Sequence, residues 1–418
     1  MDASAPDYCY RGQLLKVLRI VALTLLSLLC IGTVVYLTLV LMQSRQAALA
    51  RYPNYGQLAA FDPEREGGHL LPNLDMLVRS ERAGRGVRFI TNSKGFRNSR
   101  EFDYQTPPNT TRVLFLGDSF VDGMGTDQEH TIGYLLEEFL NKQSGENKHF
   151  EVLISGHNNP VNAWYYFQEH GYKYQPELVI LGVTLGNDLS WHSYKVGFVP
   201  ARDERDQLLL IKGSQSRQTG REQVDLLLPP DAYTRKRWLE AVWDLELSVR
   251  YFLAQKFYVF SQLAPPWLAP RESARRRVYA GGFSASLALF YQPLMQEARR
   301  MYRDFEEVVS GFNALTQRKD AQLLIVIFPT RMQVSGYDWN LLIKAYSLDS
   351  SRFDLEYPNK RIRSYCLRHG IKCIDVLDEL KVRESRGDGG FYRSRGDMHF
   401  NEKGQRTVAE ILSRQLSE

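Results

Sequence analysis

The sequence predicts an α/β fold in which a parallel five-stranded sheet lies between two layers of helices. Two observations support this prediction. Short apolar runs of strand length alternate along the chain with segments whose apolar residues recur at helical spacing. The runs are apolar on both faces, which is typical of a parallel sheet covered on both sides. With 418 residues, of which 44% are hydrophobic and 24% charged, the chain is long enough for one large domain with insertions or for two domains.

The amino-terminal region predicts a membrane anchor. Residues 20–42, IVALTLLSLLCIGTVVYLTLVLM, contain no charged residue. As a helix this stretch is roughly 35 Å long, enough to cross a hydrocarbon core of about 30 Å. A cleaved leader would have a shorter apolar region and a small-residue cleavage site, so a retained single span is favoured.

The basic residues around the span predict its orientation. Three precede it and two follow it, namely Arg11, Lys16, Arg19, Arg45 and Arg51. This slight excess favours a cytoplasmic segment at residues 1–19, with the rest of the chain outside the cytoplasmic membrane, in a periplasmic or extracellular location. Residues 43–110 are rich in loop-forming sequence and are predicted to be a leader that packs on the domain formed by residues 111–418.

That domain contains the alternating elements. Strands are predicted at residues 113–116, 150–155, 177–183, 322–328 and 372–376. Helices are predicted at residues 131–142, 160–172, 288–317, 359–370 and 401–416. Together these elements predict a three-layer α/β/α sandwich with a flavodoxin-like sheet.

Residues 190–290 interrupt the alternation and are too long for an ordinary connection. They predict an inserted cap with helices around residues 235–262. The aromatic residues of this cap could form its own core, line a substrate cleft or touch the membrane surface.

Charge and cysteine content exclude some classes of function. The net charge of +5 is small for this length, and no stretch combines dense Lys and Arg with interleaved aromatic residues, so nucleic-acid binding is not predicted. Cys366 and Cys373 are the two cysteines beyond the span. They could form a disulfide or remain two buried thiols, and their spacing is not that of a zinc site.

Polar residues follow the predicted strands where a ligand site is expected. In an open α/β sheet this site lies beyond the carboxyl ends of the strands. Each group alone is a weak signal, since an Asp-Ser pair after a strand is usually a helix cap. Their occurrence together, in order, indicates a site. The groups are Asp118-Ser119, Ser155-Gly156, Gly186-Asn187-Asp188 and Asp397-Met398-His399.

These residue types suit acyl transfer by a serine. The Ser119 hydroxyl needs an imidazole to take its proton, which His399 could do, and the imidazole needs an acid such as Asp397 to fix its tautomer. The oxyanion formed by attack needs hydrogen-bond donors. The backbone N–H groups of Ser119 and Gly156 and the side-chain amide of Asn187 could supply three.

The same residues resemble the sequence blocks of the SGNH hydrolase superfamily, the GDSL-like esterases and lipases. The first block matches at Gly117-Asp118-Ser119-Phe120, with Phe in place of a common Leu. Gly156 matches the second block, although the residues before it differ, and Asn187 matches the third. Asp397 and His399 match the last block in its closer-spaced form.

Two further segments, TNSKGFRN at residues 91–98 and IFPTRMQV at residues 327–334, resemble segments of membrane-anchored bacterial members. The likeness spans roughly residues 90–190 and 320–415. It does not cover the predicted cap.

The resemblance implies Ser119 as nucleophile, His399 as general base, Asp397 as its orienting acid, and Ser119, Gly156 and Asn187 as oxyanion donors. No paired set of His and carboxylate residues has ligand spacing and the mechanism requires no metal, so neither a metal nor a cofactor is predicted. Asp118 is predicted to belong to the turn. His157, beside Gly156, is predicted to be a loop histidine rather than a substrate contact.

The leading functional hypothesis is a serine-dependent ester hydrolase acting on an acyl ester, such as an O-acetyl group of an envelope polysaccharide, or a lipid. One alternative is an O-acyltransferase that uses the same serine to modify an envelope polysaccharide. Another is a non-catalytic binding or assembly protein of the same fold.

Overall fold

The structure is a computed structural model. It describes residues 20–34, 36–37, 59–60, 69–79, 86–145, 148–157, 159–189, 198–202, 208–212, 287–346, 348–393 and 398–417. The chain divides into two compact units, Met1–Tyr52 and Pro53–Glu418.

In the first unit, residues 20–34 and 36–37 of the predicted span are helical, and their large apolar side chains are exposed. The other residues of the span lie outside the described part of the chain. Among the described residues, no helix is both long enough and apolar enough to cross a membrane. The anchor at residues 20–42 therefore stays a prediction.

The second unit is built on a parallel five-stranded sheet, as the sequence predicts. Its strands are β1 (Thr110–Gly117), β2 (His149–Gly156), β3 (Leu178–Thr184), β4 (Gln322–Phe328) and β5 (Lys372–Asp375). They lie in the order β2-β1-β3-β4-β5 and all neighbouring pairs are parallel. This is the flavodoxin-like order, in which the chain changes direction across the sheet next to β1.

Helices accompany the sheet. They are α1 (Ile132–Ser144), α2 (Pro160–Glu169), α3 (Gln296–Arg318), α4 (Arg331–Val334), α5 (Gly336–Tyr346), α6 (Tyr357–Arg368), α7 (Leu377–Ser385) and α8 (Glu402–Ser417). The predicted helix at 288–317 begins later than expected, at Gln296, where Met295 is its N-cap residue and has extended backbone.

Two apolar cores, one on each face of the sheet, give the three layers. Alternate residues of β1 point to opposite faces, so Leu114 and Leu116 pack in one core and Val113 and Phe115 in the other. The first core contains side chains of α2, α3 and α6, and the second contains side chains of α1, α7 and α8.

The predicted leader contains more regular structure than its sequence indicates. Ala59–Ala60 pairs with His69–Leu70, and Asp75–Arg79 pairs with Gly86–Ile90, both antiparallel. Phe96, which follows the second pair, is fully buried in the same core as α2 and α3.

In the predicted cap, an antiparallel pair is described at Phe198–Arg202 and Leu208–Lys212, which the sequence did not predict. The predicted cap helices around residues 235–262 lie outside the described residues.

Candidate active site

The predicted site residues meet at the carboxyl edge of the sheet. Ser119 follows β1 by two residues, Gly156 ends β2 directly opposite Gly117 of β1, and Asn187 follows β3 by three residues. Because β2, β1 and β3 are neighbours, these three residues come from adjacent strand ends. His399 comes from the segment before α8.

Ser119 and His399 are in direct contact. The Oγ atom of Ser119 lies 2.6 Å from Nε2 of His399, although the two residues are 280 positions apart in the sequence. Both side chains are half-buried. The ring of Phe120 lies 5.0 Å from that of His399 and packs edge-on against Phe400, so buried aromatic side chains support the imidazole. This contact is the geometry that a general base needs toward a serine nucleophile.

Asp397, the predicted orienting acid, lies outside the described residues. The described part of its loop is fixed through Arg393, whose backbone N–H donates to the carbonyl of His399 at 2.8 Å. The Arg393 side chain donates to the carbonyl of Met124 at 3.2 Å. Arg393 therefore links the histidine segment to the loop that follows Ser119, a link that sequence reasoning missed.

Asp118 accepts hydrogen bonds from the turn and from β3. It is buried, and its carboxylate accepts from the N–H of Phe120 at 3.0 Å and from the hydroxyl of Thr184 at 3.1 Å. Its other oxygen accepts from the side-chain amide of Asn187 at 2.8 Å. A carboxamide nitrogen carries two hydrogens, so the bond to Asp118 fixes the Asn187 amide by one of them.

Asp188 places a second buried carboxyl beside Asp118. It accepts a hydrogen bond from the backbone N–H of Thr184 at 2.7 Å. Burial, together with the charge of Asp118, raises the pKa of Asp188 well above its usual range. Burial also raises the pKa of Asp118, against the hydrogen bonds from Asn187 and Phe120. Burial therefore favours the protonated form of each carboxyl.

Gly156 lies where the resemblance places it, but the space beside it is occupied. A Cβ atom added at Gly156 would lie 1.9 to 2.2 Å from the carboxylate atoms of Asp122, which is itself buried. The glycine therefore leaves room for the Asp122 side chain.

His157, predicted to be a loop histidine, lies directly after the end of β2 and is buried. Its Nε2 lies 3.0 Å from Oγ of Ser155, and its backbone N–H donates to the carbonyl of Gly117 at 2.6 Å. The edge therefore has two serine–histidine contacts. Both side chains of the Ser155–His157 contact are buried, whereas both side chains of the Ser119–His399 contact are partly exposed.

Cys366 and Cys373, predicted to be a disulfide or two thiols, are free thiols at the end of α6 and in β5. Their side chains are hydrogen-bond partners, which lowers the pKa of Cys366 and raises that of Cys373. The disulfide stays a prediction. Within the described ranges, no three His, Cys, Asp or Glu side chains are arranged to bind a metal ion.

No protein-family model matches the sequence, and no curated protein matches it. Among solved structures, the chain is similar to a two-domain esterase active on acetylated mannans, at 10% identity and a TM-score of 0.34. That match covers 74% of this chain and 49% of the esterase, so the chain spans about half of its length.

Two further solved structures are similar at the same level. An acetyl xylan esterase is 12% identical over 73% of this chain and 99% of its own, with a TM-score of 0.34. A GDSL-like lipase from Bacteroides thetaiotaomicron is 8% identical over 73% of this chain and 88% of its own, with a TM-score of 0.31. These low scores carry no argument about function, which rests on the geometry of the site.

Proposed function

We propose that the chain is a serine-dependent ester hydrolase in which Ser119 is the nucleophile and His399 the general base. The observation that supports this proposal is the 2.6 Å contact between Oγ of Ser119 and Nε2 of His399. The contact lies at the carboxyl edge of the sheet, where open α/β folds bind their ligands.

The first half of the reaction transfers the acyl group to the enzyme. Nε2 of His399 takes the hydroxyl proton as Oγ of Ser119 attacks the ester carbonyl carbon, and the carbonyl oxygen becomes an oxyanion. When the tetrahedral intermediate collapses, the bond to the alcohol breaks and His399 returns the proton to the departing oxygen. An acyl-serine and a free alcohol remain.

Four further residues, Gly156, Asn187, Asp118 and Asp397, complete this proposal. The oxyanion accepts hydrogen bonds from the backbone N–H groups of Ser119 and Gly156 and from the side-chain amide of Asn187, which Asp118 orients at 2.8 Å. Asp397 accepts from Nδ1 of His399 and keeps Nε2 unprotonated before attack.

The second half releases the acyl group. In a hydrolase, His399 takes a proton from water, which attacks the acyl-serine and gives a carboxylic acid and the free Ser119 hydroxyl. In the alternative, an O-acyltransferase, a sugar hydroxyl takes the place of water and carries the acyl group away. The two reactions differ in the acceptor and share every residue named above.

The proposed substrate is an acyl ester of an envelope polysaccharide or of a lipid. The uncharged residues 20–42 support a location at the cytoplasmic membrane, with residues 1–19 inside and residues 111–418 in the periplasm or outside the cell. Protease added to spheroplasts that express the full chain should digest residues 111–418. Protection of that domain in intact spheroplasts would contradict the orientation.

The catalytic proposal is tested with the purified full chain and a chromogenic acetate ester. Wild-type protein should release the chromophore, and Ser119→Ala should reduce kcat/KM about 10⁴-fold or more, because the residue that forms the covalent bond is gone. Ser351→Ala, at an exposed position distant in sequence from the site, is the matched control and should keep wild-type activity.

A fluorophosphonate probe gives an independent readout, since it labels activated serines whatever the natural substrate. The label should be found on Ser119 and not on Ser155, the serine of the buried contact. Absence of both turnover and labelling in the wild type would contradict the hydrolase and the acyltransferase together, and leave a non-catalytic protein. An acyl donor supplied with a polysaccharide acceptor separates hydrolysis from transfer.

A further inference from the structure

Arg97 is one of the most deeply buried side chains of the protein, although it carries a permanent charge. None of its surface is exposed to solvent, and its guanidinium lies 3.8 Å over the ring of Phe89. It belongs to the segment TNSKGFRN, which the proposed mechanism does not use. Burying such a charge is costly unless the charged group is hydrogen-bonded or paired.

The guanidinium donates to backbone carbonyls of two separate segments. In the strand Gly86–Ile90 it donates to Ile90 at 3.2 Å and to Arg88 at 3.4 Å. In the loop that follows Ser119 it donates to Thr126 at 3.0 Å and to Asp122 at 3.3 Å. The loop carbonyls lie on either side of residues 123–125, where two glycines adopt left-handed backbone.

The backbone of Arg97 is bonded to a third element. Its N–H donates to the carbonyl of Ile154 at 2.8 Å, two residues before Gly156 at the end of β2. Residue 97 thus contacts both elements that supply the proposed backbone oxyanion donors. Its side chain is bonded to the loop that begins with Ser119, and its main chain is bonded to the strand that ends with Gly156.

Asp122 closes this arrangement. Its carbonyl accepts from Arg97, while its carboxylate lies against the Cα atom of Gly156, where a Cβ would come within 1.9 Å of it. The loop itself is a tight turn, because the N–H of Met124 donates to the carbonyl of Ser119 at 2.9 Å. A displacement of Asp122 would therefore be transmitted both to Ser119 and to Gly156.

We infer that Arg97 is a positioning residue that sets the separation of the Ser119 and Gly156 backbone N–H groups, an inference that rests on the proposed function. Arginine suits this task because its planar fork presents several donors in fixed directions. Lysine keeps the charge but is a flexible point donor and cannot bond to both segments in the same geometry. Arg97 touches no reacting atom and acts through the loop.

The chain offers a matched control for buried arginine. Arg112 is also almost fully buried, in β1 near the opposite edge of the sheet, and its guanidinium donates to the carbonyls of Asp103 and Tyr174 and to the carboxylate of Glu151. Arg112→Lys replaces a guanidinium that is buried as deeply as that of Arg97 but lies at a distance from the loop after Ser119.

The experiment compares Arg97→Lys and Arg112→Lys in the full chain by amide hydrogen exchange and by ester kinetics. In Arg97→Lys, exchange should rise about tenfold or more in residues 119–127 and 153–157, while the central strands β3 and β4 keep wild-type protection. The value of kcat should fall about 10- to 100-fold, and KM should stay within about twofold of the wild-type value. A misplaced hydrogen-bond donor stabilises the transition state less but leaves substrate binding unchanged. Arg112→Lys should alter neither those segments nor kcat.

Added guanidinium ion should partly restore kcat in Arg97→Ala, because the ion can occupy the space of the missing fork. Wild-type exchange and wild-type kcat in Arg97→Lys would overturn the inference, and so would an equal rise in exchange across all five strands. An inactive wild type contradicts the proposed function instead. In that case the role of Arg97 in holding the loop after Ser119 against β2 is still overturned if exchange at residues 119–127 and 153–157 is unchanged in Arg97→Lys.

Discussion

At the amino edge of the sheet, the guanidinium of Arg112 is buried against the carboxylate of Glu151, 2.7 Å away. At the carboxyl edge, Asp118 and Asp188 are buried beside each other, and burial raises the pKa of both. A buried group of opposite charge stabilises the charged form of its neighbour, whereas a second buried acid destabilises the charged form of the first. The two buried acids lower stability, and one of them orients Asn187, which is expected at a functional site. The ion pair of Arg112 and Glu151 is expected where the residues contribute only to the stability of the fold.

The largest effect on stability is expected from breaking the pair at the amino edge. Arg112→Met leaves the largely buried carboxylate of Glu151 without its cation and the carbonyls of Asp103 and Tyr174 without their donor. Removal of one partner of a buried pair typically lowers the free energy of unfolding by about 3–5 kcal/mol. Urea denaturation followed by circular dichroism measures the change.

The matched control for this prediction is Arg88→Met, which removes an arginine paired with Asp75 on the surface, where both side chains are more than half exposed. Its unfolding midpoint should stay at the wild-type value, because surface pairs contribute little. If the two substitutions lowered the free energy of unfolding equally, burial would not make the Arg112–Glu151 pair more stabilising than the exposed Arg88–Asp75 pair.

The carboxyl edge should respond in activity more than in stability. Asn187→Ala removes the amide that Asp118 orients, and loss of one oxyanion donor lowers kcat about 10²- to 10³-fold. KM should change little. Steady-state kinetics on a small ester measures both constants.

Asn141→Ala is the control for that substitution, since the Asn141 side chain bonds to the backbone N–H and carbonyl of Phe150 near the amino end of β2. It should lower stability and leave kcat of the folded protein unchanged. If both variants lose stability and neither loses kcat, Asn187 is part of the fold and not of an oxyanion site.

The two edges also differ in how far the sequence predicts them. All five strands were predicted within a few residues. Strands β1 to β4 each contain an apolar run that is buried on both faces, whereas β5, with the sequence KCID, is short and only partly buried. The strand pair of Asp75–Arg79 and Gly86–Ile90 was missed, since its short strands expose one face and include charged residues.

In the site, Ser119 and His399 could be predicted from their positions after a strand and before a helix, together with a family resemblance. Asp188 was named in the group at the end of the third strand, and Arg97 lies in the segment TNSKGFRN, but the roles of Asp188, Asp122 and Arg97 could not be predicted. Their roles depend on partners brought close by the fold, such as the carbonyl of Thr126 for Arg97, and no local pattern identifies such partners.

A smaller effect is expected where Asp122 fills the space beside Gly156. Gly156→Ala places a methyl group against the Asp122 carboxylate, so one of the two must move. Overpacking of this kind costs about 1–3 kcal/mol of unfolding free energy. The control is Gly336→Ala, where no atom lies within 4 Å of the added methyl. Denaturation midpoints compare the two variants.

The cause of that effect can be isolated by a double substitution. Asp122→Ala removes the carboxylate that the new methyl would meet, so Gly156→Ala should cost less in that background than in the wild type. Equal costs in both backgrounds would mean that another contact, and not Asp122, requires the glycine.

The smallest change, about 1 kcal/mol or less in unfolding free energy at pH 5, is expected from Asp188→Asn. A carboxyl whose protonated form is favoured by burial is replaced by an amide of similar shape, whose oxygen can accept from the N–H of Thr184 as the carboxyl does. Its pH dependence is more informative than its size. Because burial raises the pKa of Asp188 in the folded chain, the native state binds a proton that the unfolded chain releases above about pH 3.9.

Wild-type stability from this group is therefore complete below about pH 4 and is lost as the pH rises toward the raised pKa of the folded chain. Asp188→Asn has no such proton, so its stability relative to the wild type should increase as the pH rises above about 4. Urea midpoints across that range measure the difference, with Asp378→Asn, at an exposed carboxyl, as the control that should run parallel to the wild type. A parallel curve for Asp188→Asn would mean that Asp188 is charged in the folded protein, and the contrast between the two edges of the sheet would then lose its physical basis.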